Sequence, residues 1–164
     1  MKMEKVRKMA ERWSDYSEKT VRFTLIVMMA VMTVVIIIQV FLRYLFSFSL
    51  SWSEEVARYL MIWVAFLGAS LALKKGLHIG VELVISRVGQ KVKKWILLVS
   101  QASILIFLLY LTVGGGKLAW AVRDQSSPAL LFSMGWAYLS APVGGLFMVI
   151  QSFHLLIEEW ERGV

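Results

Sequence analysis

Charged and polar side chains are scarce enough in this sequence for those present to be weighed one at a time. The densest group is "SWSEEVAR", residues 51–58, set directly against an apolar run that continues to Leu73. Ser51 and Glu54 have the S-x-x-E spacing of a capping box, and Glu54 and Glu55 fall in a first turn, where the helix dipole favours anions. Arg58 follows Glu54 by four residues and Glu55 by three, within reach of either. On this reading the stretch begins a helix. A cap needs only one carboxylate, however, and Arg58 stands a full turn inside. With Arg43 and Tyr44 just upstream and Trp52 at an interfacial level, the group also concentrates charge on one rim, as a docking surface would. Arg43, Tyr44, Trp52, Glu54, Glu55 and Arg58 are therefore candidate partner contacts. If they dock a partner, neutralising Glu55 or Arg58 should leave the isolated chain nearly as stable while weakening a complex.

Catalytic chemistry finds no constellation. His78 and His154 are the two histidines, and no Asp/Glu/His constellation accompanies either at metal-ligand spacing. There is no nucleophile elbow, no phosphate loop and no cysteine. The expectation is a non-enzymatic protein with no catalytic residue, metal or cofactor. A carrier acting alone needs ionisable groups deep in its spans or broken helices that hold an ion. The polar residues toward the middle of the apolar runs include Thr33, Gln39, Ser100, Gln101, Ser103, Tyr138, Ser140, Gln151 and His154. Such residues read as interhelical glue before they read as substrate ligands.

The elements that position these groups follow from hydropathy. Of 164 residues, 59% are hydrophobic, more than a soluble chain of this length can hide. Residues 23–42, 59–73, 95–113 and 129–157 contain no Asp, Glu, Lys or Arg. About 20 helical residues cross a hydrocarbon core of about 30 Å. The fold expected is all-α, an integral membrane bundle of four transmembrane helices with short interfacial amphipathic helices, one membrane domain over residues 1–164. The spans fall at about 21–45, 54–74, 94–115 and 129–157. The first run is too long for a signal h-region and lacks a small-x-small site, so it reads as a retained helix. Pro142 and Gly144-Gly145 predict a tilt or kink in the fourth. Gly114 to Gly116 and Pro128 bound a connection that ends in a helix entry. Ala65, Gly68, Ala69 and Ala72 lie close to one face of the second span and permit tight packing.

The net charge of +7 does not point to nucleic acid, because of its distribution. Thirteen of the eighteen Lys and Arg lie in residues 1–22 and 74–94. Cytoplasmic flanks carry that excess, so both segments are expected inside, and the C-terminus with them. Residues 1–20 read as a basic helix with Met3, Val6, Met9, Trp13 and Tyr16 on one stripe, suited to the headgroup region, or else as a frayed basic tail. Lys5, Lys8, Trp13 and Trp95 are candidate lipid anchors. The 74–94 loop holds a short apolar run expected to form a second interfacial helix. "FSLSW" at 48–52 and "FSMGW" at 132–136 echo each other, which two interfacial tryptophans can do by chance.

Residues 43–82 also resemble a known family. Arg43-Tyr44, Phe46, the Ser51-Trp52-Ser53-Glu54-Glu55 turn, Arg58-Tyr59, Gly68-Ala69 and the inner-loop elements Lys75-Gly76, His78-Ile79 and Val81-Glu82 are similar to the signature of the small membrane subunit of tripartite ATP-independent periplasmic (TRAP) transporters. "SPALLFSMGWAYLSAPVGGLFM" resembles that family's closing helix, although Phe132-Ser133 departs from the basic or proline residue often found there. The resemblance implies a bacterial inner-membrane system of three parts. A periplasmic substrate-binding protein captures an organic acid, a large membrane subunit moves it with a sodium gradient, and the small permease subunit braces the large one. The rival reading is a self-contained four-span exporter acting as a homodimer.

Overall fold

The computed structural model describes residues 2–74 and 89–162. Among them the secondary structure is helical apart from one isolated bridge between Ser126 and Ser133. Helices α1 (Lys2–Phe46), α2 (Ser51–Lys74), α3 (Gln90–Ala121), α4 (Gly135–Tyr138) and α5 (Ser140–Arg162) follow one another. Four segments, Glu11–Phe46, Ser51–Lys74, Val92–Ala121 and Gly135–Ile157, are long and apolar enough to cross a membrane. The chain is a multi-pass, all-helical membrane protein.

α1 shows no boundary near residue 20. Residues 2–46 contain neither Gly nor Pro, so nothing interrupts the hydrogen-bond ladder, and the basic segment and first span form one 45-residue helix. It stops where Ser47 adopts a left-handed conformation (φ 50°) and the Phe48 N–H reaches back to the Leu42 carbonyl at 3.2 Å. Thr20, Thr24 and Thr33 donate their hydroxyls to carbonyls four residues earlier, so these three donors are satisfied within the helix.

α3 runs six residues beyond its expected end. Gly114 to Gly116 lie inside the helix instead of opening a loop. A Cβ on Gly115 would meet Ala141 Cβ at 3.0 Å and Pro142 Cδ at 3.1 Å. The glycine is there for close approach to α5, a use that membrane helices favour. The fourth span begins later than expected. Residues 126–134 form a loop in which the Ser127 N–H donates to the Phe132 carbonyl (2.8 Å) and Leu131 is left-handed (φ 58°). Pro128 sits in a turn there and enters no helix. Pro142 and Gly144 fall in the first turns of α5, not its middle. Pro142 has no N–H to offer the Tyr138 carbonyl, and the joint between α4 and α5 lies between them, at Leu139.

α5 is central and packs against α3, α2 and α1. It is also where the backbones come closest: a Cβ on Gly144 would lie 2.6 Å from Phe66 Cβ and 3.0 Å from its carbonyl carbon. The small residues of α2 do not make this contact. Ala65, Ala69 and Ala72 are exposed, and α2 buries Ser53, Glu55, Leu67 and Ser70 instead. The interior is polar to an unusual degree. The largest fully buried side chains are Gln151, Val21 and six serines, while Ile26, Val34, Ile37 and Phe41 of α1 face outward. Without a hydrophobic drive between helices in lipid, close packing and hydrogen bonds hold such a bundle.

Candidate functional site

The interactions that carry chemistry gather at the two ends. One end, here the hairpin end, holds the turn at 47–50 and the loop at 122–134. The other, the terminal end, holds residues 14–22, Lys74 and the last turns of α5.

At the hairpin end Glu55 is buried, 7% exposed. One carboxylate oxygen accepts the Tyr59 hydroxyl at 2.6 Å. The other accepts the backbone N–H groups of Ala129 (3.0 Å) and Leu130 (2.9 Å). Ser127, itself buried, stands beside both side chains. A carboxylate so enclosed is stable only because its lone pairs are used. It locks the loop between α3 and α4 onto the start of α2. Glu54 points elsewhere and accepts from Gln39 Nε2 of α1 at 3.2 Å, a second tie, between the first two helices. The S-x-x-E capping box does not form in its expected manner: Ser53, not Ser51, makes the local bond, from its hydroxyl to the Leu50 carbonyl at 2.7 Å. Arg58 pairs with neither carboxylate, since Tyr59, Gln39 and the loop amides have taken them. Among the described residues Arg43 and Arg58 make no ion pair, and both are exposed, with Tyr44 (83%) and Trp52 beside them in sequence. A shallow cleft of about 330 Å³ lies between Gly116, Trp120, Ser133 and Trp136. Its charged group, Arg123, stacks 3.9 Å over Trp120 and lies 3.5 Å from Asp124.

At the terminal end, Ser14 donates to Gln151 Oε1 (2.6 Å), and Gln151 Nε2 donates to the Ser17 hydroxyl (2.7 Å) and the Ser14 carbonyl (3.2 Å). Gln101 Nε2 spans α3 to α5 by donating to Ser152 Oγ (2.8 Å) and its carbonyl (3.1 Å). Lys74 reaches Asp15 (2.6 Å) and Glu18 (2.8 Å), and Glu18 also pairs with Arg22. These bonds tie α1, α2, α3 and α5 into one unit.

The structure thus divides the expected rim. Glu55 belongs to the bundle's own architecture, Glu54 to its first hairpin, and Arg43, Tyr44, Trp52 and Arg58 to its exterior. Trp13 and Trp95 are exposed, as lipid anchors would be. Lys5 lies on the α1 backbone, as does Lys8, their side chains outside the described set; His78 and Glu82 of the inner-loop motif lie outside the described residues altogether. Among the described residues no group of three or more His, Cys, Asp or Glu could hold a metal ion. The sequence reading missed Ser14 and Ser17. Their signal was helical spacing: Ser14, Ser17 and Val21 share one face, buried throughout, while the apolar stripe of Met9, Trp13 and Tyr16 lies outside it.

With this geometry in hand, kinship can be stated. A protein of Haemophilus influenzae whose name places it among TRAP transporter small permease proteins is 27% identical over 139 residues, covering 82% of this chain and 84% of its own. The sialic acid TRAP transporter small permease protein SiaQ of Vibrio cholerae is 27% identical over 124 residues (76% of this chain, 72% of SiaQ). The C4-dicarboxylate TRAP transporter small permease protein DctQ of the same organism is 29% identical over 103 residues, 63% of this chain and 44% of that protein. Residues 32–162 match the family profile described as the DctQ component of tripartite ATP-independent periplasmic transporters. The buried fasteners, the apolar exterior and this match over most of the chain agree: the protein belongs to the DctQ-component, or small permease, family of TRAP transporters.

Proposed function

We propose that the chain is a non-enzymatic scaffold subunit of a sodium-coupled secondary transporter in the bacterial inner membrane. In this reading a periplasmic binding protein delivers an organic acid to a large membrane subunit, which this chain braces. The observation that carries the reading is where the polar groups go. Glu55, Gln101, Gln151, Ser14, Ser17 and Ser152 are buried and bonded to other parts of the same bundle. A substrate site needs polar groups held ready for a ligand, and these are already engaged. What remains outside is a wide apolar flank on α1 and an exposed rim of Arg43, Tyr44, Trp52 and Arg58, surfaces suited to a neighbour. Two relatives are named for carboxylate solutes, C4-dicarboxylates and sialic acid, which supports an organic acid as the cargo. The H. influenzae sialic acid TRAP transporter permease protein SiaT is 33% identical over 61 residues, 37% of this chain and 10% of SiaT; a stretch like this chain inside a much longer permease supports a large permease as the neighbour.

The Lys and Arg of residues 1–22 and 74–94 favour the terminal end as cytoplasmic and the hairpin end as periplasmic. Cysteines introduced as Ser47→Cys and Gln125→Cys should then react with an impermeant thiol reagent in intact cells, and Gly76→Cys should not; the reverse pattern would invert the orientation. The function itself is tested by purifying the chain from its host in mild detergent. A large hydrophobic subunit should accompany it. Elution as an isolated dimer, with substrate flux from that dimer alone, would favour the exporter and end the scaffold reading.

A further inference from the structure

One surface of the bundle is neither a packed face nor a flat one. Met9 and Trp13 of α1, Leu105 and Leu109 of α3, and Val149 and Phe153 of α5 wall a groove of about 410 Å³ beside the Ser14–Gln151 fastener. It starts at the terminal end and reaches Leu109, past the middle of α3. We propose that this groove is a lipid site that holds an acyl chain of an anionic phospholipid from the leaflet at the terminal end.

Four observations carry the assignment. Every lining residue is aliphatic, aromatic or methionine, so water entering the groove would find at most the Trp13 indole N–H and too few partners to stay. All the walls but Met9 belong to helices long and apolar enough to cross a membrane, so lipid of the surrounding bilayer can reach its mouth. Its volume is about that of a single turn of an α-helix some 10 Å across, too little for a partner's spanning helix and ample for a slender flexible chain. The sequence is basic at that end: residues 1–13 carry Lys2, Lys5, Arg7, Lys8 and Arg12 against Glu4 and Glu11, and exposed Arg12 adjoins Trp13 in sequence. Basic helices with an interfacial tryptophan attract anionic headgroups. The arrangement also explains an oddity of α1, whose polar residues Ser14 and Ser17 face the bundle while Met9 (60% exposed) and Trp13 (63%) do not. Those two side chains complete a channel, with lipid as the missing wall.

The test uses the whole complex, purified from membranes of equal phosphatidylglycerol and phosphatidylethanolamine content and exchanged into detergent until bulk lipid is gone. A diazirine-bearing residue at position 109 is compared with one at position 37, since Ile37 is 60% exposed on α1 and outside the groove. On illumination, position 109 should gain the mass of one phospholipid several-fold more often than position 37, with phosphatidylglycerol in excess. Val149→Trp, which fills the groove, should reduce that adduct several-fold with elution and helical content unchanged. Should it fail to assemble, Leu105→Phe narrows the same channel more gently. Arg12→Gln should erase the phosphatidylglycerol preference. Equal labelling at both positions, or an adduct at 109 to the large subunit or to a second copy of this chain, would overturn the site. An unchanged headgroup ratio in Arg12→Gln would overturn the anionic assignment.

Discussion

At the terminal end the bundle is fastened mainly by neutral groups, Gln151 on Ser14 and Ser17 and Gln101 on Ser152, with the Lys74–Asp15–Glu18 ion pairs alongside. At the hairpin end the corresponding work falls chiefly to one buried carboxylate, Glu55, held by the Tyr59 hydroxyl and two loop amides, with the Gln39–Glu54 bond alongside, while the guanidinium groups of Arg43 and Arg58 stay outside. The difference shows that a cluster of charges in sequence need not be a cluster in function. Amides and hydroxyls can satisfy one another at modest cost, and losing one bond leaves partners able to re-pair. A buried carboxylate cannot be replaced so easily, because the part-buried groups it held lose a charged acceptor.

The largest expected effect therefore falls on Glu55→Ala. Two amides and one phenol, all part-buried, lose their acceptor, at about 1–3 kcal/mol for each one that water does not reach. The isolated subunit should lose about 2–5 kcal/mol in detergent unfolding, and the 126–134 loop should become the first site of proteolysis. Glu55→Gln keeps one acceptor oxygen and should fall between this and wild type. A Glu55→Gln protein as stable as wild type would mean that the carboxylate serves a partner after all.

Next comes the helix crossing between the two ends. Gly144→Ala would press a methyl group to 2.6 Å from Phe66 Cβ and 3.0 Å from its backbone. Because backbone cannot step aside, α2 and α5 must part, at about 1–3 kcal/mol. An unchanged melting temperature would show that α2 and α5 can part without cost. Gln151→Leu should cost less, about 0.6–2 kcal/mol, the range of interhelical hydrogen bonds in membranes, since Ser17 already donates to the Ser14 carbonyl. A loss as large as that of Glu55→Ala would erase the contrast between the two ends. Arg58→Gln should change the isolated subunit least, by under about 0.5 kcal/mol. Its effect should appear in the complex, where tenfold weaker retention of the large subunit corresponds to about 1.4 kcal/mol. Normal retention would remove Arg58 from the docking rim.

Hydropathy alone made the four spans legible, because charge-free runs of that length have few other uses. The boundaries were less so, for reasons visible residue by residue. Gly114 to Gly116 carry the same signal whether they loosen a loop or admit a neighbouring helix, and only Ala141 and Pro142 decide it. "ALLF" at 129–132 is as apolar as a span, yet left-handed Leu131 and the amides donated to Glu55 make it a loop. Arg58 stood at helical pairing distance from two carboxylates that long-range partners had already claimed. Sequence spacing reports local opportunity; of the competing donors, Tyr59 is four residues from Glu55, while Gln39 and the loop amides come from 15 to 75 residues away.

The central claim is that this chain supports transport without performing it. The direct measurement is sodium-driven uptake into proteoliposomes of whichever organic acid the cognate binding protein retains. Vesicles holding both membrane subunits, supplied with binding protein, should accumulate the acid, and vesicles holding this chain alone should show only the leak of empty liposomes. Sustained, saturable flux through the chain by itself would contradict the account.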